Sequence, residues 1–275
     1  MKIILSRKGF DSSYGGHPSP ILPNGRIITF PIPANEKTEE LDIKYDDLIL
    51  NYENYARYSE LMADLGIKLI NPHCHLDPDL GASTYGRAPG WKPAFGQAEA
   101  AQAHLENQGV AVGDIFLFFG RFNHTFDDNG KLRYDANRHE FHMLFGYLQI
   151  GEILKADAGT VVPDWLKYHP HASDKAWKTS KNTIYISRDR LSFDETLPGS
   201  GLFRFSEELV LTKPGYKITC WNLPEIFRDV NISYHKKESW KNGYFESVSR
   251  GQEFVVDTNP EIQQWVEGLI ERHSR

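Results

Sequence analysis

Apolar residues in this chain fall mainly into short runs punctuated by glycine and proline, with helical spacing in a few places. Lys2 to Arg7 reads as a short buried strand, followed by the turn-rich Gly9 to Gly16 and by Pro18, Pro20 and Pro23. Asn24-Gly25 predicts a hairpin turn leading into a strand over Arg26 to Phe30, which Pro31 and Pro33 end. Leu48, Tyr52, Tyr55, Leu61 and Leu65 lie at helical spacing, so Asp46 to Gly66 predicts a helix of about five turns, with Ile67 to Ile70 a strand after it. Alanine-rich Gln97 to Gln108, closed by Gly109, predicts a second helix.

Further along, Ile115 to Phe122 and Phe141 to Leu154 predict the most apolar strand pair, joined through a long loop around Asp127 to Gly130. Pro163 to Tyr168 reads as a short helix and Thr183 to Ile186 as a strand. Leu202 to Leu211 reads as β-rich, and Tyr244 to Ser249 and Glu253 to Asp257 as short strands. Asn259-Pro260 caps a terminal helix that turns Ile262, Trp265, Val266, Leu269 and Ile270 to the core. The expected class is α+β: a single domain over residues 1–275, with a mixed, β-rich core and several peripheral helices.

Composition narrows the class. At 275 residues, 40% hydrophobic and 25% charged, the chain can bury a sizeable core, and disorder, collagen-like repeats and coiled coils are excluded. No run of about 18 apolar residues exists, and charge arrives too early at the N-terminus for a signal-peptide core. With only Cys74 and Cys220, the expectation is a cytoplasmic protein without membrane partners. Nine acids against three bases between Glu36 and Asp64 account for the whole net charge of −6. Trp165 to Ser192 carries a local +4, holds His169 and His171 as well, and reads as a solvated face or a phosphate-facing patch.

Two segments concentrate chemistry. In an extended Asn71 to Asp79, alternate side chains share a face, so His73, His75, Asp77 and Asp79 can converge. Two imidazoles and a carboxylate suit zinc, iron or manganese, which makes His73, His75 and Asp77 candidate ligands. His-x-His-x-Asp also opens the metallo-β-lactamase motif, but Pro78 stands where that pattern needs a further histidine. Three readings stay open: a divalent metal site, a metal-free active site, or hydrogen bonding within a proline-rich loop. The second segment, Ser6 to Gly16, presents hydroxyls, glycines and the cations Arg7 and Lys8 at a strand end, suited to an anion; it is neither a Walker loop nor a dinucleotide fingerprint. Ser6, Arg7, Lys8 and Ser12 are candidate substrate contacts, and Asp11 joins His75, Asp77 and Asp79 as a candidate catalytic group.

Weaker signals complete the list. Gln97 is a polar edge on an otherwise small-residue face and a candidate substrate contact, whereas His104 reads as a packed histidine. His139 and His142 would form a ligand pair only on a helix. Tyr244, Arg250 and Gln252 belong to an aromatic-polar cluster able to stack on and read a base, or simply to pack.

Taken in order, several segments resemble the nucleotide modification associated domain family, the third of that series. They are Ser6 to Gly16 with Pro18 to Pro23, His75 to Leu80, Gly96-Gln97 through His104 to Gly120, Gly146 to Gly151, Tyr185, Ser187, Leu191, Gly199-Ser200-Gly201 and Gly251 to Phe254. The resemblance spans nearly the full length. It implies one family domain associated with systems that modify or restrict nucleic-acid bases, and it brings no reaction with it.

Two functions follow as expectations. In the first, the Arg7, Lys8, Asp11 loop and the His73 to Asp79 loop form one pocket where a nucleotide or nucleic-acid base is altered: Arg7 and Lys8 hold an anion, Asp77 or His75 acts as acid or base, and Asp79 or His73 orients it. In the second, the aromatic strand pair resembles the barrel strands of PUA-like readers, and the chain binds modified bases without catalysis.

Overall fold

The computed structural model describes residues 1–34, 43–156, 159–172, 181–249, 251 and 253–274. A nine-stranded mixed sheet organises them. Its continuous path runs Glu253–Val256, Ile3–Arg7, Ile115–Asp128, Phe141–Lys155, Asn182–Ser187, Ala94–Ala98. Ile3–Arg7 pairs parallel with Ile115–Asp128, while the other neighbours on this path are antiparallel. The α+β expectation holds: strands dominate, and three α-helices, α1 (Tyr58–Asp64), α2 (Glu99–Asn107) and α3 (Pro260–His273), are the α-helical elements among the described residues. None is long and apolar enough to cross a membrane.

The sheet is rich in aromatic and β-branched residues because both its faces are covered. Phe95, Phe116 and Phe118 meet at ring-centroid distances of 4.9–5.9 Å. They belong to a core shared with Ile262, Val266, Leu269 and Ile270 of α3, whose N-cap, Asn259, accepts from the Ile262 amide through its side chain. A second cluster gathers Phe10, Phe30, Tyr45 and Leu48 with Leu61 and Met62 of α1. The first strand therefore begins in one core and delivers Phe10 to the other, and Arg7 to Gly9 cross between them.

The sheet stays open, yet side chains from its two end strands touch. Gln97 Nε2 on Ala94–Ala98 donates to Glu253 Oε1 on Glu253–Val256 at 2.6 Å, and Lys8 Nζ meets the same oxygen at 2.8 Å. Glu253 lies opposite Ser6 in the antiparallel ladder.

Several expectations are corrected. The five-turn helix over Asp46 to Gly66 shrinks to the seven residues of α1. Before it, Ile49–Tyr52 and Tyr55–Arg57 form a small hairpin in which Asn51 and Glu53 both adopt φ +47°, a conformation no helix interior tolerates. The spacing of Leu48, Tyr52 and Tyr55 reflected burial in the second cluster, which irregular backbone also achieves. Ile67 to Ile70 forms no ladder, and Ile70 is fully exposed. Gln97 is a strand residue, with α2 starting at Glu99. The Asn24-Gly25 turn closes, with Gly25 at φ +79°, but only Ile27 then bridges back to Ile21, so Arg26 to Phe30 is not a strand.

The loop at Asp127 to Gly130 is a tight turn at Asn129 (φ +56°) and Gly130 (φ +83°), which returns through an unexpected strand, Lys131–Tyr134. Leu202 to Leu211 is strand only to Leu202 before a 3-10 turn over Glu207–Leu209, and the strand from Tyr244 ends at Glu246.

Candidate active site

Cys74–His75 is a two-residue strand against Ile32–Pro33, and directly after it the Asp77 amide donates to the His75 carbonyl at 2.8 Å, a tight turn that keeps the two side chains close. A third group reaches them from a short 3-10 helix, Pro170–Ala172: His171. One potential ligand atom from each of His75, Asp77 and His171 lies within 4.8 Å of the others, and this is the closest-knit metal-type group among the described residues. It lines a cavity of about 270 Å³ together with Arg7, Lys8, Asp11 and Gln97. The two loops singled out in the sequence thus meet in one pocket.

Hydrogen bonding fixes the tautomers of His171 and of its neighbour His169. Asn182 Nδ2 donates to the His171 carbonyl at 2.7 Å, which leaves Asn182 Oδ1 as the acceptor for His171 Nδ1, also at 2.7 Å. His171 Nδ1 therefore carries the hydrogen, and Nε2, 3.8 Å from Asp77 Oδ2, presents a lone pair. His169 is fixed the other way round. Its Nδ1 accepts from the His171 amide at 3.2 Å, so its Nε2–H faces Asp77 Oδ1 across 3.4 Å. That contact is outside good hydrogen-bond geometry and leaves the buried Nε2 without a close partner, so it acts on Asp77 by its charge distribution rather than as a directed bond. The Gly96 amide supplies the directed bond, donating to Asp77 Oδ1 at 2.8 Å.

The electrostatics agree with this arrangement. Burial lowers His75 to about 3 and His171 to about 4, against the pull of Asp77 in the opposite direction. Burial alone would raise Asp77, but His169 first, then His171 and His75, outweigh it and hold the carboxyl at about 2. At neutral pH the trio is two neutral imidazoles and a carboxylate, the forms a divalent cation requires. Gly96 makes the close approach possible: a Cβ there would stand 2.2 Å from His171 Cδ2.

The other sequence-selected residues distribute as follows. Arg7 lines the pocket with its guanidinium on the Ser249 carbonyl at 2.8 Å; burial lowers its pKa, opposed by Asp11 and Glu253. Lys8 stands over the Phe95 ring at 4.5 Å while paired with Glu253. Ser6 is buried beside Glu253, and neither Ser6 Oγ nor Glu253 Oε2 has a hydrogen-bond partner among the described residues. Asp11 Oδ1 accepts from the Ser13 and Tyr14 amides at 2.7 and 2.8 Å, holding the turn. Ser12 is exposed on an adjoining cleft.

The structure does not bring His73 or Asp79 into the trio. His73 packs against its own turn, Nδ1 3.1 Å from Asn71 Oδ1. Beyond a cis Asp77–Pro78 peptide, Asp79 is held by both arms of Arg87 at 2.5 and 2.6 Å and by the Tyr168 hydroxyl at 2.5 Å. Tyr244 lies ring to ring with Tyr216, outside the pocket lining. Arg250 and Gln252 lie outside the described residues. His104 is a packed histidine, bonded to Ser233 Oγ at 2.9 Å. His139 and His142 flank the start of a strand rather than a helical face, so their spacing makes no ligand pair.

Sequence reasoning missed His169, His171 and Asn182. The available signal was the second His-x-His in the chain, His169-Pro170-His171, read only as part of a basic stretch. Of that stretch, residues 173–180 lie outside the described residues, and Lys167 and Lys181 are paired with Asp164 and Glu106.

No curated protein and no solved structure matches the chain. Residues 2–257, which include every residue of this pocket, match the family model for nucleotide modification associated domain 3, and the chain belongs to that family.

Proposed function

We propose that this protein is a metal-dependent enzyme that modifies a nucleotide or a nucleic-acid base. The observation that carries the reading is the convergence of His75, Asp77 and His171 at the wall of a pocket that also holds Arg7 and Lys8. The residues fit a divalent cation: their donor atoms are unprotonated at neutral pH, and Asn182 and Gly96 orient two of them, as outer partners do in metal sites. Zinc, iron and manganese all accept this donor set, and such an ion supplies a Lewis acid where substrate oxygen or water would sit.

The remaining roles belong to the chain. Arg7 and Lys8 offer cations to phosphate, and Lys8 is kept in place by Glu253. Gln97, whose amide donates to Glu253 and accepts from the Ala98 amide, holds Glu253 at the pocket wall. The alternative of a reader without chemistry has less behind it. Phe116, Phe118 and Phe119 of the proposed reading strands are buried in the core, and their faces are not offered to a ligand.

The test combines elemental analysis of the purified protein with nucleoside mass spectrometry on DNA and RNA from cells producing it. Expected are stoichiometric zinc, iron or manganese, lost in Asp77→Asn and His171→Ala, and an altered nucleoside that disappears with Asp77→Asn. Asn retains an acceptor for the Gly96 amide, so the melting temperature should stay within a few degrees. Metal-free wild-type protein with unchanged nucleosides would sink the reading.

A further inference from the structure

The pocket opens beside a larger cleft of about 930 Å³, more than three times the volume of the 270 Å³ pocket. Arg7, Asp11 and Tyr14 line both. The cleft's other cations are Arg121, Arg138 and Lys217, against the carboxylates of Asp11 and Glu140, so its wall carries a net positive charge in a protein whose total is −6. Arg121 pairs with Glu140 and Arg138 with Asp135, which orients these guanidinium groups at the wall. Two rings stand out from it: Tyr14 is 48% and Tyr216 is 49% exposed. Lys213 sits 4.7 Å over the Tyr216 ring, adding charge at that rim.

We infer that this cleft binds single-stranded nucleic acid, so that the substrate nucleotide enters the pocket as part of a strand. The inference rests on the proposed function for the nature of the pocket's occupant. Cations along a groove with exposed aromatic faces are what an unpaired strand uses: phosphates follow the charge, and unstacked bases lie on the rings. The cleft is too large for one nucleotide, while the pocket is small enough that only an unstacked base can enter it. An acidic peptide would find charge but no use for the exposed Tyr14 and Tyr216 rings.

The probe is a fluorescein-labelled mixed-sequence 12-mer, as single-stranded DNA, single-stranded RNA and duplex DNA, titrated with the full chain by fluorescence anisotropy. Four phosphate contacts, one for each of Arg7, Arg121, Arg138 and Lys217, would weaken single-strand binding by roughly 50-fold between 50 and 200 mM salt, from a slope of about −0.7 per contact. Arg138→Glu with Lys217→Glu, both exposed, should abolish binding at 200 mM while leaving the metal content unchanged and, with only the exposed Arg138–Asp135 pair lost, the melting temperature within a few degrees. Tyr216→Ala should weaken binding with little change in the salt slope. A preference for the DNA or RNA strand identifies the physiological polymer, and either supports the inference.

Binding that survives the double charge reversal overturns it, as do tighter binding to the duplex, equal affinity for a poly-glutamate peptide, or binding of nucleoside monophosphates alone. Failure here is distinct from failure of the enzyme reading. Strand binding retained by a His171→Ala protein that has lost metal supports the cleft on its own. Bound metal and altered nucleosides without strand binding overturn the cleft and leave a free nucleotide as substrate.

Discussion

His142 lies in the wall between the cleft and the core, 6% exposed, and its Nδ1 accepts the indole N–H of Trp221 at 3.1 Å. A second proton would place N–H against N–H. Burial, with Arg7 and Arg121 adding to it, lowers the imidazole from 6.5 to about 3. Below pH 6.5 the unfolded chain therefore takes up a proton that the folded one refuses, and stability falls on acidification. It is undiminished above pH 6.5 and declines progressively as the pH drops toward 3. At pH 5.0 the loss is 1.5 pH units at 1.36 kcal/mol each, about 2 kcal/mol.

The perturbation is His142→Asn, which keeps an acceptor near the Nδ1 position and removes the titration. Urea unfolding of both proteins at pH 7.5 and 5.0 gives four free energies. The variant is expected to be less stable at pH 7.5, because it leaves part of the imidazole volume empty, yet to lose about 2 kcal/mol less than the wild type on acidification. The pocket's histidines, His75 and His171, are present in both proteins and cancel in the comparison. Acid-induced losses that agree within about 0.5 kcal/mol would refute the reasoning and mean that His142 protonates in place.

Three further substitutions probe the pocket and its support. Arg87→Ala strands the buried Asp79 carboxylate and should cost about 3–5 kcal/mol in urea unfolding, whereas a loss below 1 kcal/mol would mean that Tyr168 and Trp91 suffice to hold it. Gly96→Ala drives a methyl into His171, so metal content measured after dialysis against a weak chelator should fall although none of the three proposed ligands has been changed; full retention would show that the ring can move aside. Asn182→Ala removes the acceptor that sets the His171 tautomer and should weaken metal affinity by 10–100-fold in a competition titration, with an unaltered constant counting against the assigned tautomer.

Much of the sheet was legible because its strands are short apolar runs bounded by turn residues, and Phe116, Phe118, Leu144 and Tyr147 pack where such runs must. The segment from Asp46 to Gly66 misled because periodicity reports which residues are buried and not the backbone that buries them; the positive φ at Asn51 and Glu53 leaves little trace in composition. For the pocket, sequence proximity joined His75 to Asp77, although a tight turn after the strand and not the strand itself brings them together, and glycines beside cations marked Arg7 and Lys8. Alternation failed one step to either side. Asn71 turns His73 onto its own loop, and Arg87 claims Asp79. His171 arrives from 94 residues farther along than Asp77, a distance no local pattern bridges, and only the pairing of Asn182–Ser187 with Ala94–Ala98 carries it there.

The contact between the two end strands has a kinetic meaning as well. Lys8 meets Glu253 across 245 positions, and Gln97 meets it across 156, so this side of the pocket is absent until the opening, middle and closing parts of the domain have found one another. Pairings of such sequence separation form late and slowly. A nascent or nicked chain would offer scattered histidines with little hold on an ion, whereas the finished fold, with the proposed site filled, would gain stability from every ion it retained. Metal occupancy would then report the completed molecule, and a protease or a chelator would draw on the same equilibrium from opposite ends.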